Sequence, residues 1–259
     1  MDLKNIEMFL FDMDGTIYLD DDVFDGAIEL INLINKKQKR IIYLTNNSSK
    51  SKDQYIKKLN KLGFFAKDEN VFTSGMAMGM FLNKNYKNKK VFLVGTNALK
   101  DELLKFDVVL VEEDPDIVLV GFDRELNYLK LEKACEFLCN GAIFLATNCD
   151  LVCPIANHRY IPDCGSICNM LTVATGKTPK YIGKPEPDMI NIISEKYSIN
   201  PKSIAMIGDR VYTDITAGYN AGTYTICVLS GESTLKTIEN SVVKPDLIVN
   251  SVKDLINMI

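Results

Sequence analysis

Short apolar runs alternate along the chain with stretches in which apolar residues recur every three or four positions. The first pattern predicts buried strands and the second predicts amphipathic helices. Strands are expected at Met8–Phe11, Ile41–Leu44, Val71–Phe72, Val91–Val94, Ile117–Val120, Ile143–Ala146, Ile204–Ile207, Tyr224–Leu229 and Leu247–Val249. Helices are expected between them, beginning near Gly26, Ser51, Met76, Asn97, Tyr128, Ser166, Pro187 and Thr213, with a last one at the C-terminus. The helix from Gly26 would turn Ala27, Leu30, Ile31 and Ile34 to one side, and Gly63 stands where a left-handed cap would end the helix from Ser51. Strict alternation of this kind indicates an α/β protein built on parallel sheets flanked by helices. The middle of the chain repeats the alternation on a smaller scale. That predicts a second α/β unit, over 83–179, inserted into a first one formed by 1–82 and 180–259.

Composition narrows the possibilities. With 259 residues, 47% hydrophobic and 25% charged, the chain can bury a sizeable core. A net charge of −4 argues against nucleic acid as the main partner. The most basic stretch, Lys84 to Lys90, has the look of a solvated connection. No apolar stretch approaches the ~20 residues of a membrane helix, and the N-terminal Asp2, Lys4 and Glu7 do not fit a signal peptide. A cytoplasmic protein with seven reduced cysteines is the expectation.

Candidate chemistry gathers where strands end. The first strand runs into Asp12-Met13-Asp14-Gly15-Thr16, a pattern expected by chance in roughly one chain of this length in a few hundred. Two carboxylates at a buried strand end repel unless a cation or proton compensates them. The second strand ends in Thr45-Asn46-Asn47, and Ile204–Ile207 ends in Gly208-Asp209-Arg210 with Asp214 one turn on. In open parallel sheets, ligands sit at the carboxyl ends of strands, so these clusters can converge. Gly183-Lys184-Pro185 adds a cation.

Other motifs weigh less. Gly15 and Thr16 fall at the wrong offsets for a calcium loop. Thr175-Gly176-Lys177-Thr178 resembles the end of a phosphate loop, but Leu171 stands where its first glycine should be. Cys149, Cys153, His158, Cys164 and Cys168 are of zinc-ligating type, although three residues rather than two separate the members of each cysteine pair. Cys164 and Cys168, one helical turn apart, are better explained as small core residues. The loop Asn157 to Tyr160, with His158, is a candidate substrate contact.

In order along the chain, Asp12-Met13-Asp14-Gly15-Thr16, Thr45-Asn46, Lys184, and Gly208-Asp209 with Asp214 resemble the four motifs of the haloacid dehalogenase (HAD) superfamily. Gly121-Phe122-Asp123-Arg124, Ala146 to Asp150 and Gly183-Lys184-Pro185 resemble its subfamily IIA, the NagD and 4-nitrophenylphosphatase-like branch. The resemblance implies a Rossmann-like core with an inserted α/β cap and a phosphatase of small phosphomonoesters, such as sugar phosphates or nucleoside monophosphates. It implies Asp12 as nucleophile, Asp14 as acid and base, and Lys184 as the cation beside both Asp12 and the phosphate. Magnesium would be held by Asp12, Asp209 and the backbone carbonyl of Asp14, with Asp214 supporting the metal's surroundings or Lys184. Gly15, Thr45, Asn46 and backbone N–H groups near Asp14 and Gly15 would hold the phosphoryl oxygens. Gly75 and Gly183 would flank the cap as hinges, and related caps pair, which implies a homodimer. One departure is Asp163-Cys164-Gly165-Ser166, where relatives have Pro-Gly-x-Gly-Ser. A HAD-type phosphomutase, or a metal- or ligand-binding regulatory protein with a vestigial site, are the competing possibilities.

Overall fold

The computed structural model describes residues 3–155 and 159–259. The possible substrate and zinc roles of Asn157 and His158 lie outside them. In chain order the strands and helices begin with β1 (Met8–Asp12), β2 (Tyr18–Leu19), β3 (Asp22–Val23), α1 (Ala27–Lys36), β4 (Arg40–Thr45), α2 (Lys52–Lys61) and β5 (Val71–Thr73). There follow α3 (Ser74–Asn85), β6 (Lys90–Val94), α4 (Asn97–Leu104), β7 (Val109–Leu110), β8 (Ile117–Val120), α5 (Tyr128–Cys139) and β9 (Ile143–Ala146). Next come β10 (Val152–Ile155), β11 (Arg159–Pro162), α6 (Cys164–Thr175), β12 (Lys180–Tyr181) and α7 (Asp188–Tyr197). The chain finishes with β13 (Ile204–Gly208), α8 (Thr216–Ala221), β14 (Tyr224–Val228), α9 (Leu235–Asn240) and β15 (Leu247–Val249).

These elements form two compact units. One comprises Met1–Thr45, Asp53–Phe72 and Lys184–Ile259, and the other Asn46–Lys52 and Thr73–Gly183. The sequence pattern had put the divisions near residues 82 and 180. The difference at the first division has a local cause. The Thr73 hydroxyl accepts the Met76 N–H at 3.1 Å and so caps α3, and α3 packs on α4. A Cβ at Gly75 would come 2.8 Å from a methyl of Leu99, and one at Gly79 would meet the Phe106 ring. Gly75 is therefore a close-packing position inside α3, two residues past the division at Thr73.

The first unit is built on a six-stranded sheet in the order β15-β14-β13-β1-β4-β5. β1 lies between β13 and β4 and is parallel to both, with Leu10 opposite Met206 on one side and Ile42 on the other. The order reverses at β1, which makes the carboxyl ends of β1, β4 and β13 the natural place for a ligand. Met8 to Phe11 are fully buried, worth roughly 1.5–3 kcal/mol per side chain. Leu30, Ile31 and Ile34 of α1 pack with Phe9, Phe11, Tyr43 and Ile207 in the main core cluster. α1 follows Gly26, whose φ is 77°.

The second unit holds a five-stranded parallel sheet in the order β12-β9-β8-β6-β7. Its core joins Phe92, Val118, Val120, Phe144 and Leu171 with Cys164 and Cys168. Asn127 and Thr96 cap α5 and α4 through the N–H groups of Lys130 and Leu99. Before α6 the chain forms the antiparallel pair β10 and β11, which the apolar pattern does not predict. Two further expectations need correcting. The helix expected from Thr213 begins as a π-helical turn over Val211–Ile215, and the C-terminal helix is a 3-10 stretch over Val252–Asn257. No helix among the described residues is long and apolar enough to cross a membrane.

Candidate active site

β1 delivers Asp12 to the edge of the sheet, where Lys184 meets it. The Lys184 ammonium donates to Asp12 Oδ1 at 2.6 Å and to Asp214 Oδ1 at 2.5 Å. Its side chain is only 3% exposed. Asp214 is held in place by the π-helical turn, a feature that recurs at functional sites. Its N–H donates to the Arg210 carbonyl at 2.9 Å, and its Oδ2 accepts the Arg210 N–H at 3.1 Å. The turn thus carries its own carboxylate as a brace.

Asp209, at the end of β13, is buried against a loop that follows β14. Its Oδ2 accepts the Glu232 N–H at 2.8 Å, its Oδ1 accepts the Thr16 hydroxyl at 3.3 Å, and its carbonyl accepts the Ser233 N–H at 3.1 Å. Ser230 donates to the Gly15 carbonyl at 3.0 Å. Gly15 has a φ of 90°, and a Cβ there would lie 2.6 Å from Asp209 Oδ2. Only glycine suits both the conformation and the approach. A Cβ at Gly231 would also fall on the Asp209 carboxylate. The sequence pattern missed Gly231 and Glu232. Their signal was the one that marked the other clusters, a small residue and glycine directly after a buried strand, here Leu229-Ser230-Gly231.

One oxygen each from Asp12, Asp209 and Asp214 lies within 4.8 Å of the others. Lys184 and the Arg210 guanidinium face these three carboxylates, but Arg210 is also paired with Glu232 at 2.9 Å, so negative charge remains in excess. Burial pushes the Asp12 carboxyl well above its ordinary value, Lys184 opposes the shift, and Asp214 and Asp209 add to it. Burial and then Asp214 hold Asp209 at about 6. Burial alone would lower Lys184, but Asp12 and Asp214 outweigh it and keep the ammonium charged. An all-oxygen, anionic donor set with excess negative charge fits a hard divalent cation. Asp214 belongs to this cluster in addition to holding Lys184.

The remaining expected residues are placed as follows. Thr45 is buried at the end of β4. Asp14 is half exposed, with its Oδ1 3.5 Å from the Lys58 ammonium. The Gly15 N–H donates to the Tyr18 carbonyl at 2.8 Å. The tight turn after β1 uses that donor internally. Asn46 belongs to the second unit, where its amide donates to Asp150 Oδ2 at 3.0 Å and its carbonyl accepts the Asn148 amide at 2.8 Å. Gly183 also closes that unit, because a Cβ there would meet the Thr147 carbonyl. Cys164 and Cys168 are buried in the apolar core. Cys168 is raised as a thiol by its hydrogen bond with Cys164 and by burial. Among the described residues, the group able to gather around a metal is the aspartate cluster.

Comparison with known proteins places the chain in a family. Residues 9–109 match the family of haloacid dehalogenase-like hydrolases, and 181–255 match a HAD-hydrolase-like family. An acid sugar phosphatase of Staphylococcus aureus is 35% identical over 254 residues, 98% of this chain and 96% of that protein. The chain belongs to the haloacid dehalogenase-like hydrolases. Within that superfamily it falls in the NagD-like branch of phosphatases. The 4-nitrophenylphosphatase of Thermotoga maritima superimposes with a TM-score of 0.94 at 39% identity, covering 98% of both chains. NagD from E. coli K-12 gives 0.89 at 34% identity, covering 96% of this chain and 98% of that one.

Proposed function

We propose that this HAD phosphatase hydrolyses small phosphomonoesters, sugar phosphates foremost, through an aspartyl-phosphate on Asp12 and with magnesium as its metal. The observation that carries this reading is the Lys184 bridge between Asp12 and Asp214, with Asp209 turned to the same point. The name of the S. aureus relative supports the sugar-phosphate class. Phosphate monoesters hydrolyse so slowly that the site must lower the barrier by up to ~25–30 kcal/mol. Splitting the reaction into two displacements is one means. Asp12 attacks phosphorus while the ester oxygen departs with a proton from Asp14. In the second step Asp14 takes a proton from water, whose oxygen attacks the phosphorus and frees Asp12 and phosphate. Lys184 fixes the Asp12 carboxylate and adds positive charge where the phosphoryl oxygens gather. The Thr45 hydroxyl, at the adjacent strand end, is suited to hold one of those oxygens.

Asp12, Asp209 and Asp214 would hold the magnesium ion, with the Asp14 carbonyl as a further ligand. The ion would supply charge neutralisation for the phosphoryl group and the carboxylates around it. Phosphate release should be measured across sugar phosphates, nucleoside monophosphates and 4-nitrophenyl phosphate, with and without magnesium. Wild-type activity should require the metal and fall to background in Asp12→Asn. Release that persists in Asp12→Asn, or in thorough chelation, would refute the proposal.

A further inference from the structure

We infer that Lys58 is a positioning residue for phosphoryl transfer: its ammonium, seated on the ring of Tyr18, holds the Asp14 carboxylate where the departing oxygen is protonated. The inference rests on Asp14 being the acid and base of the proposed reaction. Tyr55 and Leu59 are the buried residues of α2, and they fix the rotation of that helix. Lys58, between them in sequence, is only 24% exposed along its side chain. Its Nζ stands 4.0 Å from the centroid of the Tyr18 ring and 3.5 Å from Asp14 Oδ1. Tyr18 is fully buried, bridges Asp14 through the backbone, and accepts the Gly15 N–H. Lys58 therefore grips both ends of the turn that carries Asp14, one by its ring and the other by its carboxylate.

The contrast with the next turn of α2 is instructive. Lys61 pairs with Asp21 at 3.1 Å, but both side chains are about two-thirds exposed, where an ion pair orders little. Lys58 differs because its stem is largely buried and its ammonium has an aromatic face to rest on. An acid works only within hydrogen-bond reach of the proton's destination. Asp14 is 49% exposed along its side chain, so a lateral partner decides how often it is in reach. The chemistry is unchanged by Lys58. The Asp12 oxygen–phosphorus bond forms, the phosphorus–ester oxygen bond breaks, and the Asp14 proton goes to that oxygen.

The test uses two esters of the same shape, phenyl phosphate and 4-nitrophenyl phosphate. Nitrophenolate departs readily without a proton, whereas phenolate, which titrates near ~10 like tyrosine, gains far more from one. Lys58→Met should lower kcat/KM about tenfold on phenyl phosphate and less than about twofold on 4-nitrophenyl phosphate, a fraction of the general-acid effect. The inhibition constant of inorganic phosphate should not move. Lys58→Arg should recover most of the loss, and Lys61→Met should change neither ester. Equal losses on both esters, no loss, or weakened phosphate inhibition matching the loss overturns the inference. Asp14→Asn should show the same selectivity with a larger loss. If it shows none, the acid assignment falls and the inference with it. If it does and Lys58→Met does not, only the role of Lys58 falls.

Discussion

Replacing Asp209 by asparagine should strengthen the metal-free fold while abolishing the chemistry. Asp209 is 2% exposed, and its carboxyl is held at about 6 against an ordinary 3.8. Keeping it ionised at neutral pH therefore costs the fold up to about 3 kcal/mol. The folded carboxyl binds its proton more tightly than the unfolded one. The cost is thus absent below about pH 4 and grows as the pH rises through about 6. Asparagine is uncharged and nearly the same shape. Its oxygen can keep the Glu232 N–H, and its amide can face Thr16, whose hydroxyl can turn to accept. Allowing for imperfect replacement, Asp209→Asn should gain about 1–3 kcal/mol at pH 7.5 in EDTA and about a third as much at pH 4.5. At this chain length that is a rise in Tm of about 2–10 °C, readable by differential scanning calorimetry. Saturating magnesium should reverse the ranking. A cation at a hundred times its Kd adds about 2.7 kcal/mol to the wild type, and the variant should gain little and release no phosphate. A variant no more stable than wild type at pH 7.5 without metal, or equally stabilised at both pH values, would refute the electrostatic account of the site.

Three other outcomes are expected. Lys184→Met leaves Asp12 and Asp214 buried without their shared cation and should destabilise the protein by about 3–5 kcal/mol at neutral pH. Urea denaturation should show this loss shrinking as the pH falls, together with loss of turnover at every pH. Gly231→Ala pushes a methyl into the Asp209 carboxylate and should weaken magnesium binding about 10–100-fold, as disturbance of a ligand's support usually does. Titration calorimetry reads the affinity, and an unchanged circular dichroism spectrum would confirm the fold. In the second unit, Ser48→Ala removes the acceptor of the Phe122 N–H at 2.9 Å and the partner of the Thr147 hydroxyl. It should cost about 1–3 kcal/mol, with faster hydrogen exchange at Phe122.

Much of this was legible in the residues, because local chemistry and global topology coincide at three strand ends. Asp12, Thr45 and Asp209 could be named because each follows an apolar run, and a parallel sheet brings such ends together. What the sequence could not show was the orientation of individual groups. The Gly15 N–H belongs to Tyr18 because the turn closes on itself, and Asn46 is engaged by Asp150 a hundred residues away in the chain. The partnership of Lys58 with Tyr18 and Asp14 was equally hidden, since helix register against a distant turn leaves no periodic trace. Short paired strands escaped for another reason. Val152, Arg159, Tyr160 and Pro162 are exposed and neither strand offers a long apolar run, so their pairing is written in neither alternation nor hydrophobicity.

The central position of β1 also bears on how the protein is made. Residues 8–11 must pair with residues 204–207, so the strand that carries Asp12 stays half-paired until β13 has been synthesised. The second unit, by contrast, has every strand of its sheet once Tyr181 has been synthesised. Contacts this distant in sequence form late, because loop closure must be paid for first. A truncated product ending before residue 204 would lack Asp209 and the β13 strand that flanks β1. The aspartate cluster is thus withheld until Asp209 and Asp214 have been synthesised, and a chain terminated before them carries an incomplete site.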